Sequence, residues 1–326
     1  MARLAVLSLL GLSRGVVAIV VASQYQLQAT YSGDTFFNNF NFVTVSSGTN
    51  QGWCYVDYST ALDEGQISVD NSGAAYIMPD STTTLNPNGV GRDSVKIVST
   101  ASWTHGLFIT DLNNMPGGVC GNRLSGWSDS CEWYVIFYST IGILLTTLGE
   151  IDIITGINNA AYDQMTLFTQ PTCSVDGDFQ IGTSQSTDCS AATGCSVLDD
   201  SDPNSYGVNF NSNRGGVFAT EWTSDYIRIW FFDYGTTPFD ITAGTPDPDL
   251  WGEPVSNFQG SCNIDGSFSQ NSIAFDLEFC TTMAEANWAA DGCNSLAATC
   301  REYVASFPIV LMVDRYWGIN SVKVYQ

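Results

Sequence analysis

The apolar positions of this chain recur mostly with period two or as short continuous runs. Segments 94–99, 106–110, 226–232, 272–279 and 319–325 are rich in Val, Ile, Phe and Tyr, and runs of that length and composition suit strands packed face to face. Between such runs lie turn clusters, among them Asn86-Pro87-Asn88-Gly89, Asp202-Pro203-Asn204 and Asn213-Arg214-Gly215-Gly216, where Asn, Pro and Gly supply the conformations a chain reversal needs. Helical periodicity is confined to stretches such as 281–290 and 295–306. No internal repeat and no interdomain linker breaks the pattern. It predicts one all-β domain over residues 24–326, a sandwich of two antiparallel sheets.

Two stretches depart from it. Residues 1–23 carry Arg3, an apolar run from Leu4 and a small-residue end at Val20-Val21-Ala22-Ser23, the layout of a secretory signal peptide. Arg14 interrupts the run and leaves it short for a membrane anchor, so export is expected, with no membrane association once the leader is removed. The second stretch, 134–148, is apolar and β-branched. It is too short for a comfortable membrane span, and exposed it would promote aggregation. It could pack as a longer strand or cover a cleft.

Composition narrows the partners. The chain has 326 residues, 44% hydrophobic, so a large core can be buried. Its net charge of −23, from 33 acids against 10 bases, argues against nucleic acid and anionic membranes. A neutral polysaccharide is compatible with such a surface, because sugars are held by stacking and hydrogen bonds. Ten cysteines suit disulfides in an oxidising compartment. Cys189 and Cys195 are close enough to close a small loop; Cys262, Cys280, Cys293 and Cys300 could form two further bridges, and Cys54 or Cys131 could be a free thiol. No Asn-x-Ser/Thr sequon occurs. His105 is the one histidine, which excludes His-rich zinc sites and disfavours a serine-type triad. Asp199, Asp200 and Asp202, and Asp247 and Asp249, offer oxygen ligands without EF-hand spacing; solvated loops are the simpler account, and no cofactor is expected.

The stretch with the most chemistry is Glu150-Ile151-Asp152-Ile153-Ile154. Side chains alternate in a strand, so Glu150 and Asp152 project together while Ile151 and Ile153 point into an apolar layer. Like charges on neighbouring same-face positions cost stability. The pair is either a solvated face beside a core or an arrangement kept for chemistry, and spacing alone leaves both open.

The surrounding residues resemble the active-site strand of glycoside hydrolase family 16, the endo-β-1,3(4)-glucanases and laminarinases, most closely the fungal branch. The family pattern is Gly-Glu-(Ile/Val)-Asp-Ile-Ile-Glu-Gly; this chain reads Gly149-Glu150-Ile151-Asp152-Ile153-Ile154-Thr155-Gly156. Gly91-Arg92-Asp93-Ser94-Val95, Asn114-Met115-Pro116, Met165-Thr166-Leu167, Ser205-Tyr206-Gly207 and Val324-Tyr325-Gln326 also have counterparts in the same order. The resemblance implies a concanavalin-like β-jelly roll whose concave sheet forms a glycan cleft, acting as a monomer on β-1,3- or mixed-linked β-1,3/1,4-glucan. It makes Glu150 the nucleophile and Asp152 the assisting carboxylate, and assigns the acid/base to position 155, which a β-bulge must turn back to the same face. Arg92, Trp127 and Trp133 match substrate-binding positions, and Trp251 is a further cleft aromatic.

Several departures cluster in that cleft. Thr155 replaces the acid/base glutamate, Phe168 replaces a histidine, Arg123 and Leu124 replace a Trp-Pro pair, and Met283 replaces an aromatic. An alcohol cannot supply a proton as a carboxylic acid with a raised pKa does, so hydrolysis is expected to be lost or strongly reduced. The rival expectation is an active enzyme in which Asp163 or Asp129 substitutes. Relatives reach the nucleophile directly after a short Trp-Pro-x-Gly-Gly turn, whereas Trp133 lies seventeen positions before Glu150. The extra residues are read as a retained intron or a similar error in the gene prediction.

Overall fold

A computed structural model describes residues 25–45, 52–117, 132–139 (backbone only), 149–158, 160–170, 172–308 and 316–326. The leader, Trp127, Asp129 and residues 140–148 lie outside the described residues.

Two antiparallel sheets face each other, as the alternation predicts. The front sheet runs, edge to edge, Thr183–Ser186, Cys195–Leu198, Gln164–Phe168, Glu150–Gly156, Glu132–Ser139, Asn271–Glu278, Lys96–Trp103 and Phe40–Phe42. The back sheet runs Ser256–Phe258, Ile227–Asp233, Gly216–Trp222, Gly106–Asn114, Trp317–Tyr325, Ala75–Ile77 and Ile67–Val69, with Leu27–Tyr31 also on Trp317–Tyr325. On one side of the front sheet the neighbours are distant in sequence: Asn271–Glu278 lies between Glu132–Ser139 and Lys96–Trp103, which in turn pairs with Phe40–Phe42, the crossing pattern of a jelly roll.

One alternate set of side chains from each sheet fills the interior. Ile97, Ile151, Ile153, Leu167, Val197, Ile273, Phe275 and Leu277 from the front meet Phe108, Leu112, Phe218, Trp222, Ile229, Trp317 and Val322 from the back in one core. At about 1.5–3 kcal/mol for each fully buried large side chain, this layer is the main stabilising term. A second, smaller cluster of Leu107, Ile109, Val217, Ala219, Trp230, Ile241 and Tyr325 covers the outer side of the back sheet. Trp230 and Trp317 are both buried.

Disulfides tie the loops. Cys189–Cys195 closes the expected small loop, and Cys280–Cys300 joins the front sheet to the helix Cys300–Ser306. Cys262 differs from expectation: it pairs upstream with Cys173, across 89 residues, because the short strands Ser174–Val175 and Gly260–Ser261 pair beside it. Cys54 is a free, buried thiol.

Only 134–139 of the run 134–148 are among the described residues. Its first part belongs to the strand Glu132–Ser139, which pairs with Glu150–Gly156 on one side and Asn271–Glu278 on the other. Trp133 therefore starts a central strand opposite Gly156, not the turn before Glu150.

Candidate active site

The site is built on the outer face of the front sheet. In the pairing of Glu150–Gly156 with Glu132–Ser139, Asp152 lies opposite Ile136 and Thr155 opposite Tyr134, with a register shift between Asp152 and Ile154. Three steps on one strand against two on the other make a β-bulge, so position 155 regains the face of Glu150 and Asp152. The flanking glycines are required by close packing. A Cβ on Gly149 would collide with the Phe268 ring, and one on Gly156 with the Tyr206 ring.

Glu150 and Asp152 are close enough on one face of the strand for each to shift the other's titration. Asp152 is 2% exposed, and burial together with the Glu150 charge pushes its carboxyl well above the usual range. Burial raises Glu150 too, but Asp152 and the nearby Lys96 ammonium oppose the rise. Of the two, Asp152 is pushed up the more strongly, by its burial and by the Glu150 charge. The Lys96 ammonium favours the charged form of Glu150 against the pull of burial.

Thr155 contributes no acid. Its backbone N–H donates to Asp163 Oδ1 at 2.9 Å, and its hydroxyl oxygen is buried without a hydrogen-bond partner among the described residues. Phe168 lies opposite Glu150, so an apolar ring stands where an imidazole could have carried a proton. Met283 is 53% exposed in the helix Thr282–Asn287.

Sequence reasoning missed the rest of this face. Asp276 shares a row with Tyr134 and Thr155, and Lys96 lies opposite Asp276. Lys96 Nζ is 2.9 Å from Asp276 Oδ2. Burial opposes the Lys96 charge, but Asp276, Glu278 and Glu150 hold it above the usual ammonium range. Glu278, two positions on from Asp276, accepts from Tyr55 Oη at 2.7 Å, and burial with the Asp276 charge pushes it up to about 7. The signal was available: Phe275-Asp276-Leu277-Glu278 repeats the alternation of Glu150 to Ile153.

Other expected site residues are placed elsewhere. Arg92 is fully buried and its guanidinium is committed: Nη1 to Asp80 Oδ2 at 3.0 Å and to the Asp80 carbonyl, Nε and Nη2 to the Val304 carbonyl, and Nη2 to the Thr83 carbonyl. It clamps loops together and has no donor left for sugar hydroxyls. Trp251 lies on the outer side of the back sheet, bonded to Asp240 and edge-on to Trp230 and Phe232. Asp163, the candidate substitute acid, is fully buried beneath the bulge, where it serves the Thr155 backbone. Asp199 is buried rather than solvated, and its carboxyl is pushed up to about 6 by burial. His105 makes a structural bond to Asp265 at 2.7 Å.

Residues 40–325 match the family described as XgeA-like, catalytic GH16 domain. The chain is 34% identical over 314 residues to the endo-1,3(4)-beta-glucanase xgeA of Emericella nidulans, covering 94% of this chain and 48% of that protein. It is 37% identical over 313 residues to a probable endo-1,3(4)-beta-glucanase of Aspergillus niger, covering 94% of this chain and 40% of the relative. The chain thus spans less than half the length of these curated relatives. Among solved structures, an elongating GH family 16 beta-1,3-glucosyltransferase superposes with a TM-score of 0.82 at 35% identity, covering 93% of this chain and all of that one. Laminarinase 16A from Phanerochaete chrysosporium, with beta-glucans in donor and acceptor sites, gives 0.82 at 32% identity over 93% and 99% of the two chains. With the jelly-roll sandwich and the Glu150–Asp152 strand in place, the chain belongs to glycoside hydrolase family 16, in its XgeA-like group.

Proposed function

We propose that this chain acts on β-1,3-glucan or mixed-linked β-1,3/1,4-glucan outside the cell, as a monomer, with strongly reduced hydrolytic turnover. The glucan assignment is supported by the relatives named above. The observation that carries the reduced turnover is Thr155, an alcohol at the bulge position on the face of Glu150 and Asp152.

In a retaining reaction one carboxylate attacks the anomeric carbon, and a second group about 5–5.5 Å away protonates the leaving oxygen. Glu150 supplies the attacking oxygen, with Asp152 beside it. With Thr155 at the second position, the glycosidic oxygen must leave as an alkoxide. Water attacking the resulting glycosyl ester finds no base there. Absence of such help costs about 10²–10⁴-fold, or about 3–5 kcal/mol of barrier.

The test uses a dinitrophenyl β-laminaribioside, whose leaving group needs no proton. Release of one equivalent of dinitrophenolate per chain is expected, followed by a stall. Azide, which attacks without being deprotonated, should restore turnover and yield the β-glycosyl azide. Rapid laminarin hydrolysis unaffected by azide would contradict the proposal. Retention on laminarin without phenolate release would point to a non-catalytic glucan binder, and neither signal to a wall or matrix protein without a glycan role.

A second reading, an active enzyme with a substitute acid, draws on Glu278. Its carboxyl is pushed up to about 7 and lies on the cleft face. Laminarin hydrolysis that vanishes in Glu278→Gln would favour it.

A further inference from the structure

Phe179 is held in a conformation and an environment that both disfavour it. Its φ is +58°, in the left-handed region where a bulky side chain is strained, and its ring is 77% exposed, so little apolar surface is buried in return. The strain is imposed by a tightly bonded loop. The Asn257 side chain donates to the Asp178 carbonyl at 2.9 Å and its backbone N–H to Gln180 Oε1 at 2.9 Å. Ile181 and Gly182 donate to the Pro254 and Val255 carbonyls, and Asn257 itself accepts from Arg228 Nε at 2.9 Å. An Asn or Gly at 179 would serve the fold better. Ile181, two positions on, is 49% exposed.

The loop leads directly into Thr183–Ser186, the edge strand of the sheet that carries Glu150. One register row, Asp152–Thr166–Ser196–Ser186, connects the carboxylate pair to that edge at Ser186, crossing three strand spacings, about 14 Å, and Phe179 lies seven positions before Ser186, farther out. Thr183, Ser184 and Gln185 on the edge strand are exposed. Asp176 and Asp178 flank the ring and are exposed, which disfavours an anionic partner. A rigid aromatic ring near the start of an edge strand whose hydroxyl and amide side chains alternate between its two faces fits a neutral sugar, whose C–H face stacks on the π-cloud.

We infer that Phe179 is an outer glucan-binding platform, engaging a sugar several units away from the one over Glu150. This rests on the glucan reading above. Binding of laminarin and of laminaribiose is measured by calorimetry for the unaltered chain, Phe179→Asn and Phe179→Ala. Asn tolerates the left-handed conformation, so Phe179→Asn should keep or raise the melting temperature, which excludes a folding defect. Laminarin affinity should fall about five- to tenfold in both variants, while laminaribiose, too short to reach, should bind as before. Unchanged laminarin affinity in a chain that binds laminarin would overturn the platform alone, as would an equal loss for both sugars. If the unaltered chain binds neither sugar, the glucan reading itself falls and the platform with it.

Discussion

Asp152 and Thr155 face the same side of the sheet although three positions separate them, because the strand slips by one residue between Asp152 and Ile154. The Asp163 carboxylate beneath the slip accepts the Thr155 N–H, so the backbone at 155 is fixed independently of its side chain. The bulge therefore presents position 155 on the face of the Glu150–Asp152 pair, with a hydroxyl there rather than a carboxyl group.

The pairing of Lys96 with Asp276 should set the pH at which Glu150 becomes reactive. The ammonium lowers the Glu150 pKa against the pull of burial. In Lys96→Met, Glu150 should hold its proton to higher pH, and the acidic limb of phenolate release from an activated glycoside should move up by about one unit. An unmoved limb would show that Glu150 does not feel this charge.

Stability should fall as pH rises toward neutrality. Glu278 is raised from 4.5 to about 7, so between those values the folded chain binds more protons than the unfolded one. The stabilisation from this group is complete below about pH 4.5 and lost as pH rises through 7. Asp199, raised to about 6, and Asp152 and Asp163, raised further, act in the same sense. Thermal unfolding should show a higher midpoint at pH 5 than at pH 7.5, with a smaller difference in Glu278→Gln. A higher midpoint at pH 7.5 would contradict this.

Arg92 should matter for folding rather than for sugar. Its removal in Arg92→Ala leaves the Val304 and Thr83 carbonyls and Asp80 without their donors. The expected loss is about 3–5 kcal/mol, read by denaturant titration, with laminarin affinity of the remaining folded protein unchanged. Weaker glucan binding at full stability would reverse the assignment.

Much of this was legible in the chain itself, for specific reasons. Alternation at Ser272 to Leu277 and Ile319 to Val324 is dictated by the two-sided environment of a strand, so the sandwich followed. The Glu150–Asp152 pair was legible for the same reason. Arg92 was misplaced because a motif match does not reveal burial, and a guanidinium can serve carbonyls as readily as hydroxyls. Lys96, Asp276 and Glu278 were missed because their approach to Glu150 depends on strand order, which joins residues far apart in sequence. The central place of Glu132–Ser139 was hidden likewise. If the following residues derive from a retained intron, transcripts lacking codons within 134–148 should be found, whereas intact transcripts would dismiss that origin.

The most direct measurement is reducing-end release from laminarin by the unaltered chain and by Thr155→Glu. The account predicts little release by the unaltered chain and a gain of about 10²–10⁴-fold in the variant. Fast hydrolysis by the unaltered chain, or no gain in a folded Thr155→Glu, would contradict it.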